Sequence, residues 1–295
     1  MITEPGLYRL TDAVYHGDPV AGGSLSSTGL KKLLDSPAEF RQWADHGEDH
    51  KEEFDVGHGA HTLVLGTGPK LCRIEFDSYA TKAAREARDA AYSRGETPLK
   101  REDFDRVHAM AEALRADPDA GPLLTGDPAF AETAAIWGDP ETGQMCRAKW
   151  DWAIRTRDGR LIIVDYKTTA GRVDVDTLRK VIWDLRYNVS AAHYRRGAMT
   201  LGLGDDSTSF VLVFQSKRAP YLVTVGYVSA RALLWGEVQA RVAIDRYLSC
   251  TESGVWPKPA PGIVEFDIPD WADRQMEYLA DRGFFDTAND REQAS

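Results

Sequence analysis

The chain has 295 residues, 43% of them apolar and 10% aromatic, which suits a sizeable buried core and marks a globular chain rather than a disordered one. Its formal net charge of −10 argues against a protein that coats nucleic acid nonspecifically. It does not argue against an enzyme that grips DNA through a local basic groove and a metal held by acids.

Cys72, Cys146 and Cys250 are scattered, with no C-x-x-C spacing. A zinc site, an iron–sulfur cluster and a disulfide framework are therefore not expected, and a reducing cytoplasmic setting is. Met1–Gly6 lacks the basic and apolar regions of a signal peptide, and no apolar run is long enough for a membrane span.

Residues 1–23 are rich in turn formers and read as an irregular lead-in. Ser26 or Ser27 then suits the N-cap of a helix through Leu34, and Pro37 opens a further helix through Trp43. Phe54–Leu65 predicts a buried helix carrying Gly57, His58 and His61. Thr81–Arg94 and Lys100–Ala116 predict two helices whose alternating charges suggest exposed faces with i,i+4 pairs. Strands are expected over Ala131–Trp137, Met145–Arg155 and Leu161–Tyr166, with turns at Asp139–Gly143 and Asp158–Gly159. A single helix over Thr177–Leu201 follows, then strands Ser209–Gln215 and Tyr221–Val228, then helices Ala230–Tyr247 and Ile268–Leu279. This order predicts a mixed α/β layer structure without regular βαβ winding.

The segment Asp165-Tyr166-Lys167 closes an apolar strand. Period-two alternation places Asp165 and Lys167 on one face, and a hairpin through Asp158–Gly159 brings Asp151 beside them. Two carboxylates and an ammonium at one sheet edge suit a divalent ion and an activated water. Strict alternation would place Lys149 and Ala153 on the face of Asp151, with Lys149 as a partner for it. Glu132 on the preceding strand, His61 and Tyr194 complete the candidate set. Taken singly, His61 and Tyr194 read equally as core residues, Glu132 as a surface charge, and Asp165 with Lys167 as a structural pair.

The ordered set resembles the PD-(D/E)xK nuclease superfamily in its RecB-like branch. The carriers are Ser24-Leu25-Ser26-Ser27, Gly57-x-x-x-His61, Arg147-Ala148-Lys149-Trp150-Asp151, Ile163-Val164-Asp165-Tyr166-Lys167-Thr168-Thr169 and Phe214–Tyr221. More narrowly it is similar to RecE-type exonucleases (exodeoxyribonuclease VIII) and their phage relatives. The resemblance implies a PD-(D/E)xK core, a central mixed β-sheet flanked by helices, with helical additions at the N-terminus. It implies metal ligation by Asp151, Asp165, His61 and the carbonyl of Tyr166, catalysis by Lys167, and supporting roles for Glu132 and Tyr194. Ser190 stands where the family's Gln-x-x-x-Tyr motif has Gln, so Asn188 or His193 would have to supply that contact. Arg147, Lys149, Arg195, Arg196, Lys217 and Arg218 are the candidate DNA-binding cations.

The implied activity is Mg²⁺- or Mn²⁺-dependent 5′-to-3′ digestion of linear duplex DNA with free ends, for recombination. The implied partners are a single-strand annealing protein and further copies of the chain in a ring. A non-catalytic DNA-binding or assembly module on the same fold, and a metal-dependent endonuclease, are the alternatives. The expected layout is one nuclease domain over 24–285, comprising a helical part (24–125), a catalytic core (126–250) and a C-terminal helix region (251–285), before a tail at 286–295.

Overall fold

A computed structural model describes residues 1–47, 52–124, 128–260 and 262–284; the expected tail at 286–295 lies outside them. The chain divides into two compact units, Met1–Trp256 and Pro257–Ser295. Among the described residues no helix is long and apolar enough to cross a membrane.

The first unit is a mixed sheet between two helical layers, the expected fold class. Its strands are β1 (Gly6–Tyr8), β2 (Leu25–Ser26), β5 (Phe130–Gly138), β6 (Met145–Arg155), β7 (Leu161–Thr169), β8 (Ser209–Ser216) and β9 (Val223–Tyr227). The order is β1-β5-β6-β7-β8-β9, with β2 added to β6. The β7–β8 and β2–β6 pairs are parallel and the other pairs antiparallel. A second sheet pairs β3 (Leu71–Ile74) with β4 (Thr97–Lys100).

Side-chain alternation on the strands builds one core on each face. On one face Leu161 and Ile163 pack with Phe210, Leu212 and Phe214 against α2 (Ser27–Asp35), α9 (Tyr187–Thr200) and α10 (Ala230–Ser253). On the other, Val164 and Tyr166 pack with Val211 and Val213 against α4 (Asp55–Leu65) and α6 (Arg101–Ala116). Trp137 and Trp150 are fully buried, and burial of each such side chain stabilises the unit by roughly 2–3 kcal/mol. The remaining helices of this unit are α1 (Asp12–His16), α3 (Pro37–His46), α5 (Lys82–Ser93), α7 (Ala120–Leu124) and α8 (Val175–Asp184).

Local chemistry sets the ends of the helices that carry the site. Ser26, not Ser27, caps α2, its Oγ accepting from Gly29 N at 3.2 Å. Ser36 caps α3 in the same way, with Pro37 at the first helical position.

Four points differ from expectation. The lead-in is ordered: β1 pairs with β5, and Thr11 caps α1. The single helix over Thr177–Leu201 is two, α8 and α9, broken where Arg186 adopts φ +49°. Arg186 Nη1 bonds Asp35 there at 2.5 Å, an ion pair that offsets the cost of a left-handed non-glycine residue. β3 and β4 were not foreseen, being four residues each and interrupted by Pro98. The second unit contains α11 (Asp270–Asp281), which starts after Pro269 and not at Ile268; it buries none of its residues.

Candidate active site

The site begins where the sheet splits. β6 pairs with β7 only over Trp152–Arg155 against Leu161–Val164. Further along the same edge, Cys146 and Arg147 pair with β2. The backbone between, Ala148–Asp151, forms the floor of a fork with β7 on one side and β2 leading into α2 on the other. Asp151 caps the split: its Oδ2 accepts the Tyr166 N–H at 2.9 Å, a donor that a continuing β6 ladder would have satisfied. The hairpin register sets Asp151 level with Asp165, as expected from the sequence.

Strict alternation fails at the fork floor. Ala148 and Trp150 belong to the α2–α9 core, whereas Trp152 belongs to the α4–α6 core. The β5–β6 ladder likewise skips the level of Glu132 and Asp151, and Glu132 has φ +45°. A left-handed non-glycine residue costs roughly 1–3 kcal/mol and is held only where its surroundings impose it. This break corrects the expected pairing of Lys149 with Asp151. Lys149 Nζ instead bridges Asp12 and Glu132, each at 2.5 Å.

His61 reaches the fork from α4. Gly57, one turn earlier, faces β7, where a Cβ would just touch Thr168 Oγ1 at 3.4 Å. His61 Nε2 donates to the Tyr166 carbonyl at 2.7 Å. A carbonyl only accepts, so Nε2 carries a proton and Nδ1 is the ring nitrogen left facing the fork. That Nδ1 lies 3.9 Å from Asp151 Oδ2. One ligand atom each from His61, Glu132 and Asp151 fall within 4.8 Å of one another. Burial, with Asp151 close by, raises the Glu132 carboxyl above its ordinary value. Two carboxyl groups and an imidazole nitrogen converging in this way fit a hard or borderline divalent cation.

Asp165 and Lys167 form the opposite half. Lys167 Nζ pairs with Asp165 Oδ2 at 2.8 Å, and Asp165 stands outside the three-residue cluster. Burial pushes the Asp165 carboxyl up, the Lys167 ammonium opposes this, and Asp151 adds to it. Burial disfavours the Lys167 ammonium, but Asp165 and Asp151 outweigh it and hold the lysine charged. Tyr194 lies on the same side, its ring edge-on to Phe210 at 5.7 Å. Its hydroxyl is held far above its usual range by burial, and it bonds Ser27.

Two residues here escaped sequence reasoning, Lys31 and Tyr187. Lys31 Nζ lies over the Tyr187 ring at 4.9 Å, and Lys167 Nζ over the same ring at 5.7 Å. Burial, together with Lys167, pushes Lys31 down to about 8. The available signal was the spacing Ser27-Lys31-Asp35, one face of a helix facing the strand ends.

Several proposed DNA-binding cations are corrected. Arg147 is buried: Nη1 bonds the Ser24 carbonyl at 2.5 Å, the Ser24 hydroxyl at 2.8 Å and Asp18 at 2.9 Å. Arg195 is buried too, bonding the carbonyls of Thr208 at 2.7 Å and Asp206 at 3.1 Å. Lys149 is spent on its two acids. Arg196 is half-buried beside Glu141 and Glu237, Lys217 is half-buried near Asp55 and Lys100, and Arg218 is exposed. Nor do Asn188 or His193 replace the expected Gln at Ser190. Asn188 donates to Gln239 at 2.8 Å, and His193 Nε2 lies 3.1 Å from the Arg147 carbonyl. Ser190 itself is buried.

A family model described as "PDDEXK-like domain of unknown function (DUF3799)" matches residues 26–266. The chain belongs to this PDDEXK-like family. Among curated proteins none matches it. The PDDEXK-like fold is shared with a solved structure from Eubacterium rectale, described as "Putative exonuclease". That similarity has a TM-score of 0.56 at 12% identity and covers 89% of this chain and 97% of that one. SSO0001 gives a TM-score of 0.29 at 12% identity, covering 75% of this chain and 84% of its own. Rai1 of Scheffersomyces stipitis gives 0.29 at 13% identity, covering 78% and 67%. Scores that low carry no argument for this PDDEXK-like chain.

Proposed function

We propose that the chain is a divalent-metal-dependent deoxyribonuclease that digests linear duplex DNA 5′ to 3′, in the manner of RecE-type exonucleases. The observation that carries this reading is the fork, where ligand atoms of His61, Glu132 and Asp151 converge beside the Asp165–Lys167 pair. His61, Asp151 and Glu132, with Asp165 and the Tyr166 carbonyl, would hold Mg²⁺ or Mn²⁺. Such an ion, when bound, acidifies a water and neutralises charge on the scissile phosphate.

The chain's own groups supply the rest. Asp151 holds the strand end through the Tyr166 N–H, so the ligand carbonyl and Lys167 leave the sheet in a fixed direction. Lys167, kept charged and 29% exposed at its side chain, donates to the attacking water or to a non-bridging phosphate oxygen. The water oxygen forms the new bond to phosphorus as its proton passes to solvent, and the P–O3′ bond breaks with the leaving O3′ taking a proton from solvent, giving a 5′-phosphate and a 3′-hydroxyl. We assign the protein to the cytoplasm, to recombination with a single-strand annealing protein, and to a homo-oligomeric ring around the duplex.

Incubation of linear and covalently closed circular duplex DNA with the protein, with and without Mg²⁺ or Mn²⁺, tests this. Expected is nucleotide release from the linear form alone and only with metal. A nicked circle would make it an endonuclease, and no release from either form would refute the nuclease reading.

A further inference from the structure

Ser27, Lys31 and Asp35 form one row along α2, four residues apart, and each meets α9 or its cap. Ser27 bonds Tyr194, and Asp35 pairs with Arg186. Lys31, between them, stands on the Tyr187 ring with its Nζ 4.9 Å from the centroid, and among the described residues it forms no ion pair. The nearby charges that act on it are Lys167, Asp165 and Arg186. Asp165 is already engaged by Lys167 at 2.8 Å, and Arg186 by Asp35 at 2.5 Å. A half-buried ammonium beside two other cations is costly unless an anion joins it. Asp151 on the fork floor and Glu132 beside it on β5 repel an anionic ligand there, so it is drawn to the α2 side, where Lys31 and Lys167 share one ring.

We propose that Lys31 is a phosphate-binding residue that, together with Lys167 beside the same Tyr187 ring, holds a backbone phosphodiester of the DNA at the fork. The choice of DNA as ligand rests on the nuclease reading above. The Tyr187 ring supports the Lys31 ammonium without spending a carboxylate on it, so that its charge is left for the substrate.

The test uses the full chain and a fluorescent linear duplex, with Ca²⁺ for binding and Mg²⁺ or Mn²⁺ for hydrolysis. Lys31→Met keeps the stem and removes the charge; Lys31→Arg keeps the charge. Expected for Lys31→Met is about tenfold weaker binding and a salt-dependence slope shallower by about 0.9, one lost phosphate contact. KM should rise correspondingly, and Lys31→Arg should recover most of both effects. Equal affinity and an equal salt slope in wild type and Lys31→Met would overturn the proposal. So would a loss of binding matched by unfolding in a melt and not restored by Lys31→Arg, which assigns the residue to packing alone. Wild-type protein that binds duplex in a Lys31-dependent way yet never hydrolyses it would sink the nuclease reading and leave the phosphate contact standing. Wild-type protein that does not bind duplex at all would overturn the phosphate contact.

Discussion

The two halves of the fork solve opposite electrostatic problems. On the α4 side, Glu132, Asp151 and the Nδ1 of His61 gather donor atoms within 4.8 Å, an arrangement that asks for a cation. On the α2–α9 side, Lys31 and Lys167 share the Tyr187 ring, and among the described residues Asp165 is the carboxylate paired with them. That side asks for an anion. β7 separates the halves by its pleat, since Tyr166 packs on the α4 side while Asp165 and Lys167 face the other way. One strand end therefore presents the Tyr166 carbonyl and the Lys167 ammonium from adjacent residues, the groups proposed above as metal ligand and catalytic cation.

If the halves act separately, Lys167→Met should lower hydrolysis about 10³-fold. The same variant should keep the thermal stabilisation that Mn²⁺ gives the wild type, read in a melting titration. Loss of both together would merge the halves into one.

A second perturbation asks whether the scaffold beneath the fork can be weakened without touching either half. Burial holds His193 neutral, at about 4 against an ordinary 6.5, where it contacts the carbonyl of Arg147 on β6. A depressed folded-state value contributes stability that is complete above 6.5 and is lost as pH falls toward 4. Denaturant unfolding should show about 3 kcal/mol lost to this group between pH 7 and 4. His193→Gln should flatten that part of the profile; an unchanged profile would remove His193 as its source.

Arg195→Met should cost roughly 2 kcal/mol of stability through its two lost carbonyl contacts. DNA affinity should stay at the wild-type value in the folded protein, since the guanidinium is buried away from solvent. Weaker DNA binding in a stably folded variant would return Arg195 to the DNA-contacting set.

The smallest effect is expected from Glu132→Gln, about tenfold in metal affinity by calorimetry. Lys149 keeps Asp12 as a partner in that variant, so the fork floor survives. An unchanged metal affinity would take Glu132 out of the donor set.

The hairpin of β6 and β7 was legible in the sequence because an Asp-Gly turn and a period-two pattern each leave a local signature. The cap on α2 and the turn at Asp139–Gly143 were legible for the same reason. The inversion of sidedness at Glu132 and Asp151 was not, since a single φ of +45° on a glutamate has no compositional mark. The break at Arg186 was hidden in the same way, with neither Gly nor Pro and a stabilising partner, Asp35, 151 residues away. Arg147 and Arg195 show why charge alone misplaces DNA contacts. Sequence reports the guanidinium but not the carbonyls that consume it. Lys31 is the converse case, an unremarkable helix lysine until Tyr187 and Lys167 fold beside it.

The most direct test of the account is Mn²⁺ binding followed by electron paramagnetic resonance in the wild type and in Asp151→Asn. The account requires saturable binding in the wild type and its loss in a variant that still folds. Equal Mn²⁺ binding by the two proteins would contradict it.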